Sequence, residues 1–218
     1  DLQWFPRFPM AKAVMQCMRA AQDFLLQQKT AEISGWIVAG ASKRGWTTWM
    51  VGSATCANCV NISGIAPLVP IVPDLRKEIH RQWRSYGGFT FAFSDYTAVN
   101  FTTHLDDPEF LKGLAYVDPI NYLDRLSRIP KFVVLSSDDE FAQFDWTDIW
   151  WDDLPGEKHL LIPPSSEHSL ATGIPEVLET LGNAAHSIAL GHTIDSRPQF
   201  TYTYDSNTGK ISVTVPKS

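Results

Sequence analysis

The stretch Trp36-Ile37-Val38-Ala39-Gly40-Ala41-Ser42-Lys43-Arg44-Gly45-Trp46 limits what this chain can become more than any other. An apolar run of strand type stops at Gly40, one residue intervenes, and Ser42 stands where a helix should begin. A strand that turns so sharply into a helix presents the serine hydroxyl at the end of a sheet, the geometry of a nucleophile elbow. The general pattern is G-x-S-x-G. Here Arg44 holds the fifth position and the glycine comes one residue later, at Gly45. An ordinary Gly/Ser turn is the competing reading.

Strands and helices alternate around this turn. Met10, Ala13, Val14, Cys17, Met18, Ala21, Phe24 and Leu25 recur at steps of three and four and predict a helix over 10–29. Residues 1–9, punctuated by Pro6 and Pro9, predict a packed connector. A strand is expected over 36–39, a helix over 43–54 and a buried strand within 62–72. Residues 75–116 read as an insertion: a helix over 75–86, an aromatic segment after Gly87-Gly88, and a second helix after Pro108. Strands return at 131–135 and 159–162, and a helix opens near Pro175 and ends near Gly191.

The pattern predicts an α/β fold of α/β-hydrolase type over residues 1–195, a mostly parallel sheet with helices on both faces. The insertion would form an aromatic cap. Such folds place several strands before the nucleophile, so the chain reads as lacking N-terminal strands. In 196–218, Phe200, Tyr202 and Tyr204 alternate, then Ile211, Val213 and Val215, predicting a β-hairpin that is an edge element or the start of a β-rich region.

A serine hydroxyl needs a base to take its proton and a carboxylate to orient that base. In this fold the chain order is serine, acid, histidine. The strand at 131–135 runs into Ser136-Ser137-Asp138-Asp139-Glu140, and the next strand leads through a loop to His168. Both loops lie at carboxyl ends of strands, where open α/β sheets bind ligands. Of the other histidines, His80, His104, His159, His186 and His192, none directly follows a strand. A solvated acidic turn and a surface histidine are the alternative. The oxyanion formed by attack would be held by the Lys43 backbone N–H at the helix start. The usual second donor comes from an earlier loop that this chain does not contain.

The chemistry requires no cofactor. A net charge of −6 without a basic block argues against nucleic acid, and no apolar run reaches the roughly 20 residues of a membrane span. No charged-then-apolar leader stands at the start. Cys56 and Cys59 suit a short-loop disulfide or two free thiols better than zinc, which would need two further ligands. The sequons at Asn61 and Asn100 tilt the reading toward a glycosylated, secreted protein; an endolysosomal lumen or a periplasm are the alternatives.

Gly40-Ala41-Ser42-Lys43-Arg44-Gly45-Trp46-Thr47-Thr48-Trp49 resembles the signature of the PhoPQ-activated pathogenicity-related protein family, which includes the autocrine proliferation repressors of social amoebae. Further matches are Tyr86-Gly87-Gly88, Val117-Asp118-Pro119, Trp151-Asp152-Asp153-Leu154-Pro155-Gly156 and His168-Ser169-Leu170. The resemblance implies a fold related to serine peptidases and esterases, with Ser42 as nucleophile, Asp139 as acid and His168 as base. It also makes Arg44 a family trait. One segment departs: where the family usually has Asn-Asp-Pro-Tyr, this chain has Asp138-Asp139-Glu140-Phe141.

Candidate substrate contacts are Arg44, which would bind a carboxylate unless it pairs with an acidic side chain, and Trp83, Tyr86, Tyr96 and Phe141, which otherwise are core. Two readings follow. One is a secreted serine hydrolase, either a peptidase acting near chain ends, dipeptidyl-peptidase-like, or a carboxylic-ester hydrolase. The other is a secreted proliferation repressor on a hydrolase scaffold, acting through a cell-surface or secreted protein partner.

Overall fold

In a computed structural model of the protein, residues 5–54, 60–197 and 199–216 are described. Cys56 and Cys59 lie outside them; Cys17 is a free, exposed thiol. Four parallel strands, β1 (Trp36–Ala41), β2 (Ile62–Leu68), β3 (Lys131–Val134) and β4 (Lys158–Leu161), form one sheet in sequential order. Helix α1 (Arg7–Gln27) precedes it and α2 (Lys43–Ser53) joins β1 to β2. Between β2 and β3 come α3 (Leu75–Tyr86), α4 (Ser94–Ala98) and α5 (Pro108–Val117), and α6 (Ile174–Ala189) follows β4.

Parallel strands added one after another in the same direction, each by a right-handed crossover, place all three connections on one face of the sheet. Strand alternation agrees with this. Ile65 faces Gly52 of α2 and Leu126, whereas its neighbour Gly64 lies under Ile188 of α6. Val133 joins the cluster containing Trp49, Ile65 and Leu126, and Val134 joins Val69, Leu170 and Val177 on the α6 side. The sheet therefore carries helices on both faces.

Helix α2 is buried from Gly45 to Ser53. Its two threonines are tolerated there because their hydroxyls bond back into the helix, Thr47 to the Lys43 carbonyl (3.2 Å) and Thr48 to the Arg44 carbonyl (2.9 Å). Trp49 is fully buried and meets Trp150 edge-on at 5.8 Å.

Two expectations are corrected. α1 begins at Arg7, so residues 7–9 are helical and not connector; Pro9 sits in the first turn, where its missing N–H costs nothing. Its buried positions are Ala11 and Met18, with Val14 and Met15 partly covered, while Cys17 and Phe24 are exposed. The inward face is rotated by about one position from the predicted one. Apolar residues surround most of this helix, and its fit against α2 selects the stripe.

The insertion contains short 3-10 segments that periodicity did not reveal, Phe91–Phe93 and Phe101–His104, and a longer one follows it, Pro119–Leu126. A further one, Phe144–Ile149, lies between β3 and β4. The expected hairpin is present as β5 (Thr201–Asp205) and β6 (Lys210–Thr214), and every residue of β5 is exposed. Among the described residues no helix is long and apolar enough to cross a membrane.

Candidate active site

Ser42 sits between β1 and α2 at φ 54°, ψ −121°, a conformation that a residue with a Cβ rarely adopts. Its N–H donates to the Leu68 carbonyl (2.8 Å), and its carbonyl accepts from Trp46 N–H (3.1 Å). The two glycines flanking it make so tight a turn possible. A Cβ on Gly40 would stand 2.7 Å from the Arg44 carbonyl oxygen, and one on Gly45 would stand 2.7 Å from that of Leu68. The glycine demanded by close approach is thus at the sixth position, Gly45, and Arg44 at the fifth is exposed and free to carry a side chain. This explains the departure from G-x-S-x-G.

The loops after β3 and β4 bring the other two groups to Ser42. His168 Nε2 lies 2.8 Å from Ser42 Oγ, and His168 Nδ1 lies 2.9 Å from both carboxylate oxygens of Asp139. Asp139 Oδ1 also accepts the N–H groups of Phe141 (2.8 Å) and Ala142 (2.7 Å), so its own loop holds the carboxylate together with His168. The Asp139 side chain is 1% exposed and that of His168 19%. With Nδ1–H donated to Asp139, Nε2 presents a lone pair to the serine hydroxyl.

The two loops are tied together. Asp138 N–H donates to the Ser166 carbonyl (2.9 Å), and the Ser136 hydroxyl lies between the Ser166 and Glu167 carbonyls. Glu140 accepts the His168 backbone N–H (3.1 Å) and so ties the loop after β3 to the histidine loop. Ser169 and Thr172 hydroxyls hold the Glu167 carboxyl down to about 2, bracing the same loop from outside.

The cap reaches this site through ring contacts. Phe89 stacks on Phe93 (5.5 Å), Phe93 on Phe141 (4.6 Å, 11° between planes), and Phe141 tilts against the His168 ring (5.2 Å). Helix α3 grips the acid loop by polar contacts: Gln82 donates to the Phe141 carbonyl (2.9 Å) and Gln143 N–H donates to Glu78 (3.1 Å). Glu78 is wholly buried, and burial pushes its carboxyl up to about 8.

A cavity of about 200 Å³ opens beside Ser42 and Lys43, walled chiefly by Trp46, Tyr96, Phe101, Phe110 and Phe141. Tyr96 and Phe141 of the expected contacts are brought to it. Trp83 (51% exposed), Tyr86 (57% exposed) and Arg44 are not among its lining residues. Trp83 instead packs on Phe89 at 5.0 Å. Sequence reading missed Trp46, Phe101 and Phe110, since each also fits a helix or cap pattern as core. The remaining histidines near the cap and sheet are engaged elsewhere: His80 with Asp106 (3.0 Å), His104 with Asp107, and His159 with Glu157 (2.8 Å). As the first helical residue, Lys43 has a backbone N–H with no acceptor inside α2, beside the serine. Asn61 and Asn100 are exposed, and Asn61 donates to the Ser34 carbonyl (2.7 Å). Among the described residues no cluster of His, Cys, Asp or Glu is arranged to hold a metal ion.

Residues 1–218 match the family described as PhoPQ-activated pathogenicity-related protein. The chain is 36% identical over 222 residues to autocrine proliferation repressor protein A of Dictyostelium discoideum, covering 98% of this chain and 43% of that protein. It thus spans less than half the length of that relative. Acetyl xylan esterase from Paenibacillus sp. R4 superposes with a TM-score of 0.51 at 18% identity, over 78% of this chain and 51% of that one. Est1E from Butyrivibrio proteoclasticus gives 0.49 at 14% identity, over 76% and 67%. The esterase likeness speaks for the fold, an α/β-hydrolase scaffold. With a match along all 218 residues and this identity to a curated relative, the chain belongs to the PhoPQ-activated pathogenicity-related protein family.

Proposed function

We propose that the protein is a serine hydrolase that transfers the acyl group of an ester or peptide to water. The observation that carries this reading is the unbroken run Asp139–His168–Ser42, with contacts of 2.9 and 2.8 Å on a strained turn. Ser42 Oγ attacks the acyl carbonyl while its proton passes to His168 Nε2. The Lys43 N–H receives the oxyanion, with the start of α2 favouring negative charge. Collapse breaks the carbon–leaving-group bond, and His168 returns its proton to the departing oxygen or nitrogen. Water then repeats the sequence on the acyl-serine and regenerates Ser42. Asp139 stays ionised and supports the imidazolium. The small, mostly aromatic cavity favours a compact acyl group over a long chain.

The exposed sequons at Asn61 and Asn100 support a secreted site of action. The relative named as a proliferation repressor favours a second reading, an extracellular signal borne on the same scaffold, which is compatible with the first. A panel of dipeptide amides and short-chain nitrophenyl esters tests the hydrolase. Turnover of at least one class that vanishes in Ser42→Ala is expected; rates equal to those of the variant on every substrate would overturn it.

A further inference from the structure

Arg7 opens α1, 35 residues before the serine in sequence, yet its side chain lines the cavity beside Ser42. The guanidinium lies 4.3 Å over the Trp46 ring and points one N–H at the Met10 thioether (3.5 Å), a weak acceptor. Among the described residues no carboxylate pairs with it. Burial lowers its pKa from the ordinary arginine value, and the neighbouring Tyr96 works in the opposite direction. Two residues before it, the Phe5 ring fills the space over Gly113 of α5 and lines the same cavity.

A half-buried guanidinium has five donors in a planar fork and here satisfies few of them. Of the rest of the wall, Trp46, Tyr96, Phe110 and Phe141 carry no carboxylate, and the Tyr96 phenol is the polar group among them that acts on it. An anion entering the cavity would therefore meet an unmatched cation in a water-poor setting, where a two-point carboxylate contact is strongest. We infer that Arg7 binds a carboxylate of the substrate, so that the hydrolase prefers esters or peptides bearing a free carboxylate a short apolar step from the scissile carbonyl. This rests on the reading of Ser42 as a nucleophile and adds the substrate class.

The test compares kcat/KM for two matched pairs. With the carboxylate on the acyl side, 4-nitrophenyl hemiglutarate is set against 4-nitrophenyl pentanoate; on the leaving-group side, 4-acetoxybenzoate is set against phenyl acetate. Wild type should favour the charged member of one pair, and that pair identifies the side on which Arg7 acts. In Arg7→Met the charged-to-neutral ratio for that pair should fall about 10- to 100-fold, chiefly through KM, with partial recovery in Arg7→Lys. No preference in wild type for either pair, or a ratio unchanged in both variants, overturns the inference. Binding of monomethyl glutarate and of benzoate to the Ser42→Ala protein, followed by tryptophan fluorescence, separates the two claims. Binding of either that is lost on adding Arg7→Met upholds the inference even if wild type hydrolyses nothing. Absence of binding by both overturns it even if Ser42 proves catalytic.

Discussion

The elbow with its two partner loops and the cap above them are built on different principles. Around Ser42 the contacts run largely through backbone N–H groups, Ser42 on Leu68, Asp138 on Ser166 and two on Asp139, with the Ser136 hydroxyl and the Glu140 carboxylate adding to them. The cap is held by side chains that reach far along the chain. Asp118 accepts the N–H groups of Asp74 and Leu75, Gln82 donates to the Phe141 carbonyl, and ring contacts run from Phe89 to His168. Backbone ladders place atoms with little freedom, which the proposed reaction would require of Asp139, His168 and Ser42. Side-chain contacts can be exchanged without breaking the sheet, so selectivity is more easily altered in the cap.

Changes on the elbow side should fall on kcat. After Ser42 and His168 themselves, the largest effect is expected for Asp139→Asn, which keeps the shape but presents a different hydrogen-bonding group to His168 Nδ1. A drop in kcat of about 10⁴-fold with little change in KM follows from serine proteases of the same logic. A loss confined to KM would show that the carboxylate positions substrate instead.

Next in size is a pH effect from the cap. Glu78 holds its proton in the folded state up to about 8, whereas the unfolded chain releases it near 4.5. The unfolded state therefore binds fewer protons than the folded one between these values, and stability falls as pH rises from 4.5 to 8. Glu78→Gln keeps the acceptor for Gln143 N–H and has no proton to lose. It should remove a decline of roughly 2–4 kcal/mol, read from urea midpoints at pH 5 and pH 9. Parallel pH profiles for the two proteins would show that the carboxyl is not buried in solution.

Gly45→Ala sets a methyl against the Leu68 carbonyl and should cost about 1–3 kcal/mol, with Ser42 reactivity lost beyond what stability accounts for. Trp83→Ala, at a half-exposed position in the cap, should shift stability by less than about 1 kcal/mol and leave kcat near wild type. A large effect there would mean that the cap closes over substrate more tightly than its ring contacts indicate.

The same contrast explains what could be read from sequence. β1, Ser42 and α2 were legible because an apolar run, two glycines and a serine carry their geometry within a few residues. The bounds of α3 came out as expected because Asp74 caps one end, accepting from Lys77 N–H, and Gly87 closes the other with φ 69°. The 3-10 segment Pro119–Leu126 was not legible, because Asp118, which caps it, owes its burial to Asp74 and Leu75 more than forty residues away. The inward stripe of α1 depended on packing against α2. Of the site, Ser42, the acidic loop Asp138–Glu140 and His168 followed from chain order, and only the family resemblance singled out Asp139 within that loop. Arg7 left no signal, since nothing local connects the first turn of a helix with a serine 35 residues on.

The central claim is that Ser42 is a nucleophile activated by His168. Labelling of the purified, folded protein with a fluorophosphonate probe, followed by peptide mapping, tests it most directly. The account predicts one adduct, on Ser42, absent in Ser42→Ala and slowed by orders of magnitude in His168→Ala. Folded wild type that takes up no probe, or a Ser42→Ala variant that labels as fast as wild type, would contradict it.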